Sequence, residues 1–451
     1  MIKLFDDWIK SEERGDKPFL IMGKGPTINL APNIDRNKYI TLGLNHVVEK
    51  HKVDITHAID YEVVKDAGHF MTGNAEYLLM PWYPNLGFRP HSKNLEELCK
   101  EDVILNRFRK AGKLLTYNRD MESILGANKY SPCPLGGIPI NLVFFSGDSV
   151  FQLLAAQGEK NIFSLGLDGG KLYGEDFNGY IPLENGRDTF DDQFKVISHV
   201  SQVTGAKLIR IGELEPIKVF VGSQHEQYIP AKVLEYSIKK NTQNPVEFNL
   251  LYKNNIKYKT PDNPANRPRT PFSFQRFMIP SLTTGKAFYL DSDMQVFGDM
   301  AELLGYNFGE YDVLSCKDMD SYNHWKGSEY AVLMLDCDEI SWDINTIVDD
   351  LDSGKLTYER LMFDFEVAKV EPQFPPSWNS LDTYDPNRTN LLHYTDMARQ
   401  PWLYPGHPHE ELWVKGLSEA IDAGVITTRE YEEHVKNGFV RYVLKGSMLN
   451  V

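Results

Sequence analysis

The chain has 451 residues, which is too long for one ordinary hydrophobic core and predicts two or three domains. Its composition, 42% hydrophobic and 25% charged, is that of a globular protein, and no apolar run approaches the roughly 20 residues that a membrane span needs. A formal net charge of −15 argues against a sequence-independent nucleic-acid binder, because such a protein needs a basic surface.

The first residues, MIKLFDDWIKSEERGDK, are acidic and amphipathic. They lack the positive start and apolar stretch of a secretion signal, so we expect a cytoplasmic protein with no membrane span and no nucleic-acid partner. The four cysteines have no CxxC spacing, which favours free, buried thiols over a zinc site or a disulfide framework.

The N-terminal half alternates predicted strands and helices. We predict strands at 18–22, 39–44, 55–59 and 161–167, and helices at 149–157 and 188–205. This alternation is typical of an α/β, Rossmann-like domain with a mostly parallel sheet. The short charged segment 213–216 ends in proline and marks a boundary, so we predict domains at 1–213 and 217–451.

A glycine-containing turn follows the first of these strands. Gly23 and Gly25 allow a phosphate or ribose to approach the backbone, although their spacing is not the GxGxxG of a dinucleotide site. A tight strand-to-helix turn without a ligand explains the same pattern. Together with Asn45, Asp60, the pair Ser146-Gly147 and SLGLD at 164–168, the turn resembles family 42 bacterial sialyltransferases and the pterin diphosphokinase-like domains of motility accessory factors.

That resemblance implies a cytidine monophosphate-linked donor held by Gly23, Gly25, Asn45, Ser146 and Gly147. It also implies a catalytic histidine soon after 168, but none occurs before 188, and His199 is the next candidate. The N-terminal domain is therefore a second transferase, an inactive nucleotide-binding domain or a packing partner.

The C-terminal half begins a second α/β domain, with a strand at 217–221, a helix at 229–241 and a strand at 247–252. In KAFYLDSDMQVF an apolar strand then ends in Asp291 and Asp293. Carboxylates at the end of such a strand lie at the usual ligand crevice and can hold a hard divalent cation. Three further Asp-x-Asp pairs, at 318–320, 336–338 and 350–352, do not follow a Phe-Tyr-Leu strand. An acidic turn that caps the next helix is the alternative.

A second motif, LLHYTDMARQPW, places His393 after a predicted strand. With Asp291 and Asp293 it would form a set of two oxygen ligands and one nitrogen ligand, which suits Mn²⁺ and, less well, Mg²⁺. A lone histidine is otherwise a core or loop residue. The segment WNSLD at 378–382 is either a turn or part of a sugar site, and HPHEE at 407–411 is expected to be a surface turn before a helix at 411–423.

Residues 217–413 resemble glycosyltransferase family eight, that of glycogenin and the lipopolysaccharide galactosyltransferases. The resemblance is carried by IKVFVGSQHEQY, FSFQRFMIPSL, YLDSD and HYTDMARQPW. It implies a glycosyltransferase-A fold with a mixed, mostly parallel sheet, retention of configuration and a uridine diphosphate sugar donor. The implied roles are metal ligation by Asp291, Asp293 and His393, a ribose contact by Ser292, an approach to the donor by Arg276, and a base pocket lined by Val221, Gly222 and Gln224.

The sequence departs from that family at three places, one of which is ERLMFD at 359–364 in place of a later Asp-Gln pair. The usual Lys-Pro-Trp is Gln400-Pro401-Trp402, and a glutamine can donate a hydrogen bond to a diphosphate but supplies no charge. The acceptor-side segment, GSEYAVLMLDC at 327–337, lacks the usual Asn-x-Gly.

The sequence therefore predicts a metal-dependent glycosyltransferase that transfers a sugar from a nucleotide diphosphate sugar to a glycan or glycolipid acceptor. Two alternatives stay open. One is a nucleotide diphosphokinase or hydrolase centred on the N-terminal domain, although no GxxxxGK[ST] loop occurs. The other is a non-catalytic protein that binds a nucleotide sugar or a glycan.

Overall fold

The computed structural model describes residues 1–120, 133–183, 187–317 and 330–443. The chain divides into two compact units. The N-terminal unit comprises Met1–Pro32 and Arg36–Leu214, and the C-terminal unit comprises Asn33–Asp35 and Glu215–Val451. The main division thus falls inside the charged segment 213–216.

The elements of the N-terminal unit alternate along the chain as the sequence predicted. Its strands are β1 (Ile2–Leu4), β2 (Phe19–Met22), β3 (Ile40–Leu44), β4 (Val53–His57), β5 (Ala75–Pro81), β6 (Asn85–Leu86), β7 (Arg89–Pro90), β8 (Leu114–Tyr117), β9 (Asn161–Leu165) and β10 (Lys207–Arg210). Its α-helices are α1 (Phe5–Trp8), α2 (Tyr61–Asn74), α3 (Leu95–Glu101), α4 (Val103–Lys110), α5 (Ser146–Ala156) and α6 (Asp192–Thr204).

Eight of the described strands form one sheet in the order β1-β8-β5-β4-β3-β2-β9-β10, and each pairing is parallel. Strands β2 and β3 are buried along their whole length, which is why they read as continuous apolar runs. From β2 the chain winds through β3, β4 and β5 on one side, whereas β9 and β10 lie on the other side. Ligands of open α/β sheets bind outside the carboxyl ends of the strands at such a switch point.

The C-terminal unit continues the alternation with a different sheet. Its strands are β11 (Ile217–Gly222), β12 (Val246–Leu250), β13 (Lys286–Asp291), β14 (Met294–Val296), β15 (Val313–Cys316), β16 (Val332–Asp336), β17 (Val370–Phe374), β18 (Ser380–Leu381) and β19 (Leu391–His393). Its α-helices are α7 (Tyr228–Asn241), α8 (Ala301–Leu304), α9 (Ile344–Asp352), α10 (Tyr358–Met362), α11 (Glu410–Asp422) and α12 (Thr428–Lys436).

Six of the described strands form a mixed sheet in the order β12-β11-β13-β16-β15-β17. Strand β16 pairs antiparallel with both neighbours, and the other pairings are parallel. Three short strands form a separate sheet in the order β14-β19-β18. The predicted α/β class, with a mixed and mostly parallel C-terminal sheet, is confirmed.

All four cysteines are free and buried, as predicted, and burial raises the pKa of Cys99 to about 11. Among the helices in the described ranges, none combines the length and the apolar character that crossing a bilayer requires.

Candidate functional site

The acidic pair stands at the carboxyl end of β13. The strand buries its apolar residues completely, and Asp291 is its last residue. Because β11 runs parallel to β13, with Gly222 opposite Asp291, both strands end at the same edge of the sheet. Strand β16 runs the other way, so Asp336 lies opposite Lys286 at the far edge. The pair at 336–338 is therefore remote from Asp291, and the pair at 318–320 lies outside the described residues.

Strand pairing brings His393 to the acidic pair across about one hundred residues of sequence. Strands β14 and β19 are antiparallel, and Met294 lies opposite His393. The backbone carbonyl of Asp293 accepts a hydrogen bond of 2.9 Å from the backbone N–H of Tyr394. Asp293 and His393 are thus held side by side by the backbone of two neighbouring strands.

The imidazole of His393 is oriented by an amide. Its Nδ1 lies 3.0 Å from Oδ1 of Asn379. An amide oxygen only accepts, so Nδ1 carries the proton and Nε2 carries a lone pair. Nε2 lies 3.2 Å from Oδ1 of Asp293, so two electron-rich atoms face each other. A cation beside both atoms, or a second proton on the ring, would make that arrangement favourable.

The donor set fits a divalent cation. One ligand atom each from Asp291, Asp293 and His393 lies within 4.8 Å of the others. Oδ1 of Asp293 and Oγ of Ser292 are buried and lack a hydrogen-bond partner in the described part of the chain. Such orphaned polar atoms are costly unless an ion, water or ligand satisfies them. Two carboxylates with one imidazole suit Mn²⁺ better than Mg²⁺, which prefers oxygen ligands alone.

The carboxylate of Asp291 contacts the phenol of Tyr289 and the guanidinium of Arg276. The hydroxyl of Tyr289 donates to Oδ1 of Asp291 at 2.5 Å, and Nη2 of Arg276 lies 3.7 Å from the same oxygen. Burial raises the pKa of Asp291, the nearby Arg276 lowers it, and the neighbouring Asp293 raises it again, so that its pKa lies above the ordinary value. A bound cation would favour the ionised form of the carboxylate.

Arg276 is buried, and its guanidinium is already engaged by the protein. It donates to the backbone carbonyls of Ser273 at 3.2 Å and Tyr330 at 2.5 Å, and to the Tyr289 hydroxyl at 3.1 Å. The guanidinium also lies over the Tyr289 ring, 4.2 Å from its centre. The structure therefore gives Arg276 a clear role in orienting Tyr289 and Asp291, and the implied contact with a donor stays a prediction.

We expect Tyr289→Phe to weaken Mn²⁺ binding about tenfold, because Asp291 loses the hydrogen bond that orients it. Calorimetric titration with manganese chloride measures this change. Tyr228→Phe is the matched control, since it removes a phenol–carboxylate hydrogen bond of 2.6 Å at Glu430 and touches none of the three ligands. Equal Mn²⁺ affinity of Tyr289→Phe and wild type would contradict the supporting role of the phenol.

Three of the implied donor-contact residues, Val221, Gly222 and Gln224, lie at or just after the end of β11. Val221 and Gly222 close β11, and a Cβ on Gly222 would lie 2.3 Å from the Tyr289 hydroxyl oxygen. Glycine at 222 is therefore what allows the Tyr289 hydroxyl to reach Asp291. Gln224 is half-buried at the start of a short 3-10 helix. Gln400 is buried, and its amide donates to Sδ of Met397 at 3.2 Å.

In the N-terminal unit, the residues chosen from sequence line one cavity of about 570 Å³. They come from the turn after β2, the end of β3 and the first turn of α5: Gly23, Gly25, Asn45, Ser146 and Gly147. The hydroxyl of Ser146 lies 3.3 Å from Oδ1 of Asn45. Asn45 has a φ of 54°, a left-handed conformation that asparagine tolerates better than most residues. Backbone amides of a glycine turn and of a helix N-terminus favour an anion.

Lys24 and His46 also line this cavity and were not identified from the sequence. The ammonium of Lys24 lies over the rings of Tyr173 and Tyr180, at 4.3 and 4.7 Å from their centres. The ring of His46 contacts Tyr180 with a centroid distance of 4.7 Å, and burial, followed by the charge of Lys24, lowers the pKa of His46. Burial also raises the pKa of Asp60, which lines the cavity.

His199 does not belong to this cavity. It is exposed on α6 and is absent from the residues that line the cavity in the described part of the chain. The N-terminal unit therefore offers His46 and Asp60, rather than His199, as titratable groups beside a ligand.

Comparison with known families identifies one part of the chain. Residues 207–342 match the model of the family described as Glycosyl transferase family 8. This stretch is less than a third of the chain; it contains Gly222, Arg276 and the acidic pair, and it ends before His393 and Gln400. Comparison with the curated proteins found no match.

Several solved structures are similar to the chain. The apo structure of the bifunctional glycosyltransferase WbbM is 13% identical, covers 54% of this chain and has a TM-score of 0.34; the chain spans 58% of WbbM. The galactosyltransferase LgtC, in complex with donor and acceptor sugar analogues, is 14% identical over 49% of this chain and 100% of LgtC, with a TM-score of 0.32. The sialyltransferase CST-II, in complex with a trisaccharide acceptor and CMP, is 12% identical over 43% of this chain and 80% of CST-II, with a TM-score of 0.25.

The resemblance that the sequence predicted for the C-terminal half is confirmed over residues 207–342. Residues 207–342, most of which lie in the C-terminal unit, therefore match a glycosyltransferase family, the enzyme class that the motifs indicated.

Proposed function

We propose that the C-terminal unit is a metal-dependent glycosyltransferase that uses a nucleotide diphosphate sugar, with a uridine diphosphate sugar as the first choice of donor. The acceptor is a glycan or glycolipid of polysaccharide biosynthesis, and the protein acts in the cytoplasm. One observation carries the proposal. Three metal-ligand side chains, Asp291, Asp293 and His393, meet at the end of a strand that belongs to the family 8 stretch.

Different side chains of the proposed site would have different roles in binding the donor. A divalent cation bound at this centre would neutralise the diphosphate as the bond between sugar and phosphate breaks. Tyr289 and Arg276 hold Asp291 in place, and Asn379 holds the His393 ring so that Nε2 faces the carboxylates. The nucleoside would lie along the ends of β11 and β13, beside Gly222 and Ser292. Retention of configuration is part of the proposal through the family resemblance.

The proposal is tested by a screen of nucleotide sugars for donor hydrolysis and transfer, with Mn²⁺, with Mg²⁺ and with a chelator. We expect turnover of at least one diphosphate sugar with Mn²⁺ and loss of turnover after chelation. Undiminished transfer after chelation would refute the metal dependence. A donor that binds and is never split would support the non-catalytic alternative, and turnover of a nucleoside triphosphate without any sugar would support the hydrolase alternative.

A second candidate function belongs to the N-terminal unit. We propose that its cavity binds a cytidine monophosphate-linked sugar, which would make the chain bifunctional. The supporting observation is that five residues chosen from separate parts of the sequence line the same cavity at the switch point of a parallel sheet. A phosphate would meet the amides of the 23–25 turn and of the first turn of α5, with Lys24 as the nearby cation.

We expect Lys24→Ala to weaken the binding of cytidine monophosphate by roughly ten- to one hundredfold, because it removes a charged partner of the phosphate. Fluorescence or calorimetric titration in the presence of a chelator measures this affinity without a contribution from the C-terminal metal centre. Lys171→Ala is the control, since Lys171 is exposed and does not line the cavity. Equal affinity of both variants would argue against a phosphate beside Lys24.

A further inference from the structure

A hydrogen-bond network that includes neither Asp291 nor Asp293 adjoins His393. It begins at Asp382, which directly follows β18. Strand β18 runs parallel to β19 with Leu381 opposite His393, and the backbone N–H of Asp382 donates to the carbonyl of His393 at 2.9 Å. The backbone of the nitrogen ligand is thus tied directly to Asp382.

The carboxylate of Asp382 also accepts hydrogen bonds from the turn that follows His393. Its Oδ1 accepts hydrogen bonds from the backbone N–H groups of Thr395 at 2.9 Å and Asp396 at 3.3 Å, and its Oδ2 accepts from the Thr395 hydroxyl. Asp382 has a φ of 50°, in the left-handed region. A strained residue of this kind persists only where its surroundings hold it, and such residues concentrate at functional sites.

His407 supplies the last donor to this carboxylate. Its side chain is completely inaccessible, and its Nε2 lies 3.0 Å from Oδ1 of Asp382. Nδ1 of His407 accepts the backbone N–H of His409 at 3.0 Å, so Nε2 carries the proton and donates it to Asp382. The His407 ring also packs edge-on against Tyr394, the residue after the metal ligand, at 5.0 Å between ring centres.

Both carboxylate oxygens of Asp382 accept hydrogen bonds, and a satisfied, partly buried network of this kind restrains the groups that it joins. Burial raises the pKa of Asp382, but the hydrogen bonds from His407 and Thr395 outweigh it and hold the pKa below the ordinary value. An ionised carboxylate that accepts several hydrogen bonds fixes the groups around it more firmly than neutral partners do. The segment 393–396 is therefore linked through Asp382, which precedes it, to His407, which follows it.

We infer that Asp382 and His407 are positioning residues for the metal ligand His393. Together they fix the 393–396 turn so that Nε2 of the imidazole stays directed at the carboxylates of Asp291 and Asp293. Partners that orient a ligating histidine in this way typically change metal affinity by ten- to one hundredfold when they are removed. The inference rests on the proposed metal centre of the C-terminal unit.

The test measures Mn²⁺ itself rather than turnover. Calorimetry gives the affinity, and electron spin-echo modulation detects an imidazole nitrogen bound directly to Mn²⁺. We expect wild type to show nitrogen modulation and His393→Ala to lack it. Asp382→Asn and His407→Phe are expected to bind Mn²⁺ ten- to one hundredfold more weakly with reduced nitrogen modulation. His407→Gln keeps an N–H donor and is expected to recover much of the wild-type signal.

Asp385→Ala is the matched control. Asp385 is a half-exposed carboxylate on the same segment, and its side chain accepts from the backbone N–H of Asn387 within its own turn. Its removal should leave affinity and modulation unchanged. Wild-type affinity and nitrogen modulation in either Asp382→Asn or His407→Phe would overturn the inference while leaving the metal centre intact. Absence of Mn²⁺ binding by wild type would instead refute the proposed metal centre, and the inference with it.

Discussion

Asp293→Ala is expected to reduce transfer from the preferred nucleotide sugar by roughly a thousandfold, a loss of the size seen when one preorganised electrostatic group is removed from an active site. Oδ1 of Asp293 is buried and lies 3.2 Å from Nε2 of His393. Its removal leaves only Asp291 and His393 as side-chain ligands of the proposed cation. The Mn²⁺ affinity, measured by calorimetry, should fall together with turnover.

The chain contains a matched control for this change. Asp338 also belongs to an Asp-x-Asp pair after a strand, but that strand runs antiparallel to β13, so the pair lies at the opposite edge of the sheet. Asp338 is exposed and accepts one hydrogen bond, of 3.0 Å, from the backbone N–H of Gly285. Asp338→Ala should keep wild-type Mn²⁺ affinity. Turnover by Asp293→Ala at the wild-type rate would remove the basis of the metal centre.

Gly23→Ala is expected to destabilise the N-terminal unit and to abolish ligand binding in its cavity. A Cβ at 23 would lie 2.3 Å from the backbone carbonyl oxygen of Gly166 and 2.8 Å from Cδ1 of Leu167. The nearest atom is backbone, so relief requires the ends of β2 and β9 to separate. Overpacking of this kind costs about 1–3 kcal/mol, and the separated turn would no longer present its amides to a phosphate.

Urea unfolding, followed with a probe of the N-terminal unit, measures the change in the free energy of unfolding. Gly179→Ala is the control, because among the described residues no atom beyond its chain neighbours lies within 4 Å of a Cβ built there, and its φ is not positive. It should leave both stability and cytidine monophosphate binding unchanged. If Gly23→Ala were as stable as Gly179→Ala and bound the nucleotide equally well, the close approach of Gly23 to Gly166 would be shown to matter for neither stability nor binding.

The fold was largely predictable because its signals are local. Short apolar runs such as Phe19–Met22 and residues 287–290 are bounded by turns or charged residues, and they indicate buried strands without knowledge of their neighbours. The strand order was not predictable in the same way. That β2 lies between β3 and β9 depends on pairings between residues far apart in sequence, and these pairings create the cavity.

The site was predictable only in part, for a similar reason. The strand ending in Asp291 follows from the pattern. His393 was a candidate because it follows a predicted strand, but the same position also fits a core or loop histidine, and only the family resemblance favoured the role of metal ligand. Asn379 went unrecognised as the partner of His393, since its role depends on the short strands β18 and β19. The environment of Arg276 was also hidden, because its acceptors at 273 and 330 lie on different segments.

One sequence interpretation was wrong in its detail. The HPHEE segment was expected to be a surface turn, yet His407 is buried and donates to Asp382. Proline at 408 does interrupt the helical spacing and a helix does follow, at Glu410–Asp422, so the local prediction of a turn was correct. The burial of His407 could not be predicted from the local sequence, because its partner, the carboxylate of Asp382, lies 25 residues earlier.

The pairing of β14 with β19 has a consequence for folding. Asp293 and His393 are held together by backbone hydrogen bonds although one hundred residues of chain separate them. A cation shared by both would therefore act as a reversible cross-link that closes this long loop, and its release would be coupled to unfolding. At a free concentration one hundred times its dissociation constant, such a ligand adds about 2.7 kcal/mol to the stability of the state that binds it. The free manganese concentration would then affect both the binding of the donor and the stability of the C-terminal unit.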